Sequence, residues 1–230
     1  MSTEKSAREA LLDAALTYVA FDGWSQAAFA AAAQDTGIAP DKARALYPRG
    51  AFDLAVAYHR RGDAIMLARL KAADLGRMRV RERVTFAVRT RIEAICDKEA
   101  ARRASALFAL PQNAPQGARL IWDTADAIWD ALDDPSNDFN WYSKRMILSG
   151  VYSATVLFWL GDKSPDCGAT WDFLDRRIGE VMNFEKFKGQ LRENPLTKGL
   201  FARAEGLLSR VREPSRTPRD DLPGRWTGDI

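Results

Sequence analysis

A chain of 230 residues with 47% apolar side chains removes roughly 70–75% of its unfolded surface from water on folding, enough for one sizeable core or two smaller ones. The formal charge of +3 is too small to argue for nucleic acid as a partner. Cys96 and Cys167 lack CxxC spacing, which argues against a disulfide framework, and no window nears the roughly 18 consecutive apolar residues of a membrane span.

Helical period runs through the chain, with apolar residues at spacings of three and four and hardly any alternating β-branched run. Ala7, Leu11, Leu12, Ala15, Leu16 and Val19 mark one face of a first helix that closes near Asp22-Gly23. The second, Ser25 to about Gln34, has Ser as its N-cap and stops at Gly37. A short third starts at Pro40 and breaks before Pro48. A fourth is expected over about 49–74, and further helices over 77–97, 98–110, 116–132, 138–161 and 166–183, separated by Pro111/Pro115, Pro135 and Pro165. The last begins at Asn194-Pro195 and runs to about Arg212, followed by the Pro-rich, charged tail 213–230. About ten helices result: a three-helix head (1–48), a larger bundle (49–183), a linker (184–193), an amphipathic helix (194–212) and a disordered tail.

Catalytic signatures are missing. The single histidine, His59, is followed by Arg60 and Arg61 and is expected on a solvated helix face. Val56 three residues earlier excludes the Glu-x-x-His pair of a carboxylate di-iron bundle, and Cys/His zinc spacing is lacking. Neither GxSxG, a P-loop nor GxGxxG occurs. Asp133-Asp134 precede Pro135, where turn chemistry explains them better than acid/base work. The expectation is a protein that is not an enzyme and needs no cofactor and no metal.

GIAPDKARALYPRGAFDLAVAYH resembles the start of TetR-type regulators, in which the short third helix enters the major groove. Here that helix offers Asp41, Lys42 and Arg44, and the acid at its start would face phosphate unfavourably. The second helix, QAAFAAAAQD, carries no basic residue. An all-α TetR-like fold without DNA reading is expected, with a ligand-responsive regulator as the alternative.

Charge is unevenly spread. From Asp123 to Asp138 there are six Asp and no Lys or Arg. SNDFNWYSKR (136–145) then opens a strongly apolar helix. Ser136, Asn137 and Asp138 oversupply its cap. Trp141 and Tyr142 beside Lys144 and Arg145 have the composition of a protein-contact hot spot. The alternative is that Trp141 is core and Arg145 pairs with an Asp of the preceding block.

SNDFNWYSKR, the apolar helix after it and SPDCGATWDFLDRRIGEVMNF are together similar to the accessory protein family of ubiquinone (coenzyme Q) biosynthesis, which has a TetR-like fold; PRGAFDLAVAYHRR resembles the family's fourth-helix start. The resemblance covers about residues 8–212 and is strongest over 133–184. It implies a non-enzymatic, lipid-binding homodimer that presents a quinone precursor to the di-iron demethoxyubiquinone hydroxylase. It places Asp138, Trp141, Tyr142, Lys144 and Arg145 on the face toward that hydroxylase, and implies that DNA reading is lost, so that no nucleic acid partner is expected.

Between Pro195 and Arg212, Leu196, Leu200, Phe201, Leu207, Leu208 and Val211 repeat at helical spacing, with Lys198 and Arg203 between them. Such a helix lies in a membrane interface or packs on the bundle; the resemblance implies the former, with 183–193 as the hinge. A lipid, phospholipid or polyprenyl quinone intermediate, would need an apolar tunnel, for which Phe86, Ile121, Trp122, Met146, Tyr152 and Phe158 are candidates. Trp171, Leu174, Ile178 and Val181 are spaced like a two-helix dimer seam. The N-terminus is too acidic for a transit peptide and lacks a signal-peptide apolar run. The expected location is the bacterial cytoplasm, peripheral on the inner membrane.

Overall fold

The computed structural model describes residues 2–95, 97–137 and 139–193, with Ser2, Phe139 and 183–193 by backbone alone. Asp138 and the membrane-facing candidates Leu196, Lys198, Leu200, Phe201, Arg203, Leu207, Leu208 and Val211 lie outside the described residues, as does the tail. Nine α-helices and no strand occur among the described residues: α1 (Ser2–Asp22), α2 (Gln26–Asp35), α3 (Pro40–Leu46), α4 (Ala51–Ala72), α5 (Val80–Glu93), α6 (Lys98–Ala109), α7 (Ala114–Ala131), α8 (Phe139–Gly161) and α9 (Gly168–Glu193).

The boundaries have local causes. Ser25 caps α2, its hydroxyl accepting from Ala28 N, and Gly37 carries the positive φ of 64° that ends the turn after it. Asp97 caps α6 by accepting from Glu99 N and Ala100 N. Asp162 joins α8 to α9: its carboxylate accepts from Ser164 N at 2.7 Å and from Thr170 N at 2.9 Å and the Thr170 hydroxyl. Gly50, at φ 61°, is demanded by crowding as well as by backbone, since a Cβ there would stand 2.8 Å from Gln26 Oε1.

Two apolar clusters result. Leu11, Leu12 and Ala15 of α1 meet Phe29 and Ala32 of α2, Ala43 and Leu46 of α3, and Leu54 of α4. The head is therefore completed by the start of α4 and does not stop at residue 48. The larger cluster joins Met66 and Leu70 of α4 with Val88, Ile92, Ala125, Ile128, Leu148, Leu174 and Ile178. Trp24 Nε1 donates to Ala100 O at 3.1 Å and Arg103 to Ala20 O at 2.9 Å, fastening head to body.

Three expectations are corrected. The linker at 184–193 is absent, because α9 runs unbroken to Glu193; Gly189 alone does not end a helix whose neighbouring residues are good helix formers. Leu174 and Ile178 are core residues of this chain, so the spacing of Trp171, Leu174, Ile178 and Val181 reports packing of α9 against α5 and α8 rather than a dimer seam. His59 faces inward.

Candidate functional site

α4 through α8 enclose an apolar cavity of about 400 Å³. Its wall is made largely by small residues: Gly62 on α4, Ala101 and Ala104 on α6, Gly117 and Ala118 on α7. Ile65, Ile95, Ile121 and Val156 supply the larger apolar surface. α6 and α7 approach closely at Gly117, where a Cβ would lie 2.8 Å from Phe108 Cβ. The cavity reaches solvent beside Leu157, which lines it and is 66% exposed.

One side of the wall is polar, and its Arg91 Nη1 is buried without a hydrogen-bond partner. Arg91 Nε donates to Asp63 Oδ1 at 2.6 Å, and its Nη2 donates to His59 O at 2.9 Å. Thr124 Oγ1 stands 2.9 Å from Asp63 Oδ1 and 2.9 Å from His59 Nε2. Thr124 Oγ1 also stands 3.0 Å from Leu120 O, so its single proton has two acceptors besides the imidazole. Burial, aided by the Arg91 charge and opposed by Asp63, pushes His59 down to about 4, which keeps it neutral. Burial likewise pushes the Tyr152 phenol up, and its ring lies 5.7 Å from the Arg91 guanidinium carbon. Arg91 is paired with Asp63, and the other charged lining residue, Arg61, is paired with Asp13 at 2.5 Å and Glu9 at 3.6 Å from α1. Sequence reasoning missed Asp63, Arg91 and Thr124. The signal for the first was His59 and Asp63 at i, i+4, one face of one helix.

The 136–145 segment forms a second polar centre. Trp141 is 5% exposed and Arg145 1%. Arg145 donates to Asp126 Oδ1 at 2.5 Å, to Asp130 Oδ1 at 3.0 Å and to Trp141 O at 3.3 Å, with Asp134 Oδ2 at 3.6 Å. Its guanidinium carbon lies 3.9 Å from the Trp141 ring centroid. The acidic block of α7 is thus the counter-charge of one buried arginine, as the alternative reading of that segment had it. Lys144 Nζ donates to Asp134 Oδ1 at 2.5 Å and to the Ser136 hydroxyl at 2.7 Å. Tyr142 is half-buried, its ring edge-on to Trp141 at 4.7 Å with Trp122 6.4 Å away. Tyr142 and Lys144 are half-buried at the surface of this face, with Trp141 and Arg145 buried behind them.

Of the six lipid-lining candidates, Ile121 and Tyr152 line the cavity. The other four line neither this cavity nor the second one described below. Phe86 packs half-buried on the main core, Trp122 joins the Trp141–Tyr142 aromatic group, Met146 is 65% exposed, and Phe158 stacks on Phe173 at 4.6 Å. Among the described residues no group of three His, Cys, Asp or Glu is placed to hold a metal, and no helix is long and apolar enough to cross a membrane.

A three-helix head on a helical bundle is the architecture of TetR-type proteins. A crystal structure of a TetR transcriptional regulator from Nitrosomonas europaea ATCC 19718 matches 76% of this chain and 97% of that one with a TM-score of 0.64 at 19% identity, a likeness of fold alone. The family model for COQ9 matches residues 114–185, which hold most of the second polar centre and much of the cavity wall. The mitochondrial ubiquinone biosynthesis protein COQ9 of Rattus norvegicus is 32% identical over 212 residues, 88% of this chain and 68% of the rat protein. The Homo sapiens protein of the same name is 30% identical over 212 residues, 88% and 66%. The chain belongs to the COQ9 family, whose members are ubiquinone biosynthesis proteins, and it spans about two thirds of the length of these relatives.

Proposed function

We propose that this protein is a non-enzymatic, lipid-binding accessory protein of ubiquinone biosynthesis. It holds a polyprenyl quinone intermediate, or the chain of a phospholipid, in the first cavity. As a homodimer at the membrane surface, it presents that lipid to the di-iron demethoxyubiquinone hydroxylase. The observation that carries the reading is the cavity of about 400 Å³, lined mostly by Ala, Gly, Ile and other apolar residues, with each of its two arginines ion-paired to a carboxylate behind the wall. Such a site rewards a largely apolar body by burial and leaves one buried donor, Arg91 Nη1, for a polar group.

Tyr142 and Lys144, at the surface of the second polar centre, support docking on that face. The stretch 194–212 supports the membrane contact by its sequence pattern. The test is mass spectrometry of organic extracts from the purified protein. Native protein yields a stoichiometric polyprenyl quinone or phospholipid, and Ala104→Phe, which fills the cavity, does not. Lipid-free native protein that shifts DNA with a steep salt dependence would replace this reading with a regulator.

A further inference from the structure

A second cavity, of about 490 Å³, lies between the start of α5, the end of α7, the first half of α8 and the far half of α9. Its floor is apolar: Val84, Leu148, Val151 and Ile178 are buried core residues facing it. Its volume falls in the range of roughly 300–1,000 Å³ usual for small-molecule sites, and the lipid reading above makes no use of it.

Its rim is charged asymmetrically. Arg81 and Arg83 border it from α5. Arg83 is held in place by Nε donating to Met78 O at 2.9 Å, and Arg81 reaches across to α9, its Nη2 donating to Asp175 O at 3.3 Å. Both anchors are neutral carbonyls. Among the described residues no carboxylate stands within salt-bridge distance of either guanidinium. Farther along the same helix, Arg89 and Arg91 pair with Glu93 at 2.7 Å and Asp63 at 2.6 Å.

The acids on the opposite rim do not answer these two charges. Asp134 is bound by Lys144 at 2.5 Å, with Arg145 3.6 Å away, and Asp133 is an exposed turn residue with φ 55°. The positive end of the α5 dipole lies at the same edge as the arginines. Val80, 55% exposed, carries the apolar floor out to the surface between them. An anion alone would find only arginines open to water, where such pairing is weak. A neutral chain would leave both guanidiniums without a counter-charge. An apolar chain ending in an anion satisfies floor and rim together.

We propose that this cavity binds an amphiphile with an anionic head, its chain among Val84, Ile147, Leu148, Val151 and Ile178 and its carboxylate or phosphate on Arg81 and Arg83. The shared chemistry is a tailed anion, whether a free fatty acid or a phosphorylated lipid. Calorimetric titration of the delipidated full-length protein with dodecanoate, dodecyl phosphate, dodecanol and inorganic phosphate tests it. The two tailed anions are expected to bind one to one and about tenfold tighter than dodecanol, as a charge-assisted contact allows, with no signal from inorganic phosphate. Tighter binding of dodecanoate assigns the source to a fatty acid, and of dodecyl phosphate to a phosphorylated lipid.

Arg81→Gln with Arg83→Gln is expected to bring dodecanoate down to the level of dodecanol. Val84→Trp, or Ile147→Trp where the first fails to fold, is expected to abolish binding of dodecanoate and dodecyl phosphate, and to leave any dodecanol held in the first cavity. Equal binding of dodecanol and dodecanoate to the native protein overturns the proposal, as does full retention of dodecanoate by the double arginine variant. Loss of dodecanoate in Ala104→Phe with retention in Val84→Trp places the chain in the first cavity and also overturns it. The quinone extraction test of the first cavity is read separately, so either reading can fail alone.

Discussion

His59 offers a clean measurement, because it is the chain's single histidine and it is buried neutral against Thr124. Its ordinary value of 6.5 falls to about 4 in the folded state. As pH drops below 6.5 the unfolded chain takes up a proton that the folded chain refuses until about pH 4. A depressed folded value therefore gives stability that is complete above pH 6.5 and is lost progressively as pH falls toward 4. The loss is about 2 kcal/mol between pH 7 and pH 5, and about 3 kcal/mol once both states are protonated. Urea unfolding at pH 7 and pH 5 reads the first figure directly. His59→Gln, whose amide can still meet Thr124, should have nearly equal stability at the two pH values, since carboxylates contribute little above pH 5. A native protein that changes by less than about 0.5 kcal/mol across this interval refutes the argument. So does a slope that survives in His59→Gln.

Other consequences follow from the same geometry. Gly62→Ala would put a Cβ 2.5 Å from Arg91 Nη1, an overpacking worth about 1–3 kcal/mol; a denaturation midpoint within error of native would show that the guanidinium yields freely. Arg145→Ala leaves Asp126, Asp130 and Asp134 around an uncompensated centre and should cost about 3–5 kcal/mol in urea unfolding; a loss under about 1 kcal/mol would refute it. Leu174→Ala should cost about 2–5 kcal/mol without altering the sedimentation coefficient of the folded protein, because Leu174 packs inside one chain. Tyr142→Ala should weaken capture of the hydroxylase while the far-ultraviolet dichroism is preserved. Equal loss on Phe21→Ala, a surface change in the head, would remove the docking assignment.

Helix order and most boundaries were legible because they are set locally: Ser25 and Pro40 start helices, Gly23 and Gly37 end them, and the apolar spacing names the inward faces. The end of α9 was not, since nothing between Asn183 and Glu193 either favours or forbids a break strongly. The cavity was misread for a physical reason. Large side chains such as Phe86, Trp122 and Phe158 do not mark it, because space inside a protein opens where side chains are small, at Gly62, Ala101, Ala104 and Gly117. A small residue on a helix carries no mark of whether a neighbour fills the gap it leaves. The same limit applied to Trp141 and Arg145. Their composition fits a contact face and a buried pair equally well, and only the positions of Asp126 and Asp130 on α7 and of Asp134 just after it decide between them. Leu174 and Ile178 repeat the lesson, because heptad spacing describes any helix packed on another.

The shared position of α8 has a mechanical consequence. Ile147, Leu148 and Val151 on one side of it wall the second cavity, and Tyr152, Ser153, Val156 and Leu157 on the other wall the first. It is a single helix of 23 residues with no proline to bend it, and Tyr142 stands at its outer end, roughly 16 Å along the axis from Ser153. A partition of this kind cannot yield to one compartment without crowding the other. A shift of α8 toward one cavity would narrow that one and widen the other.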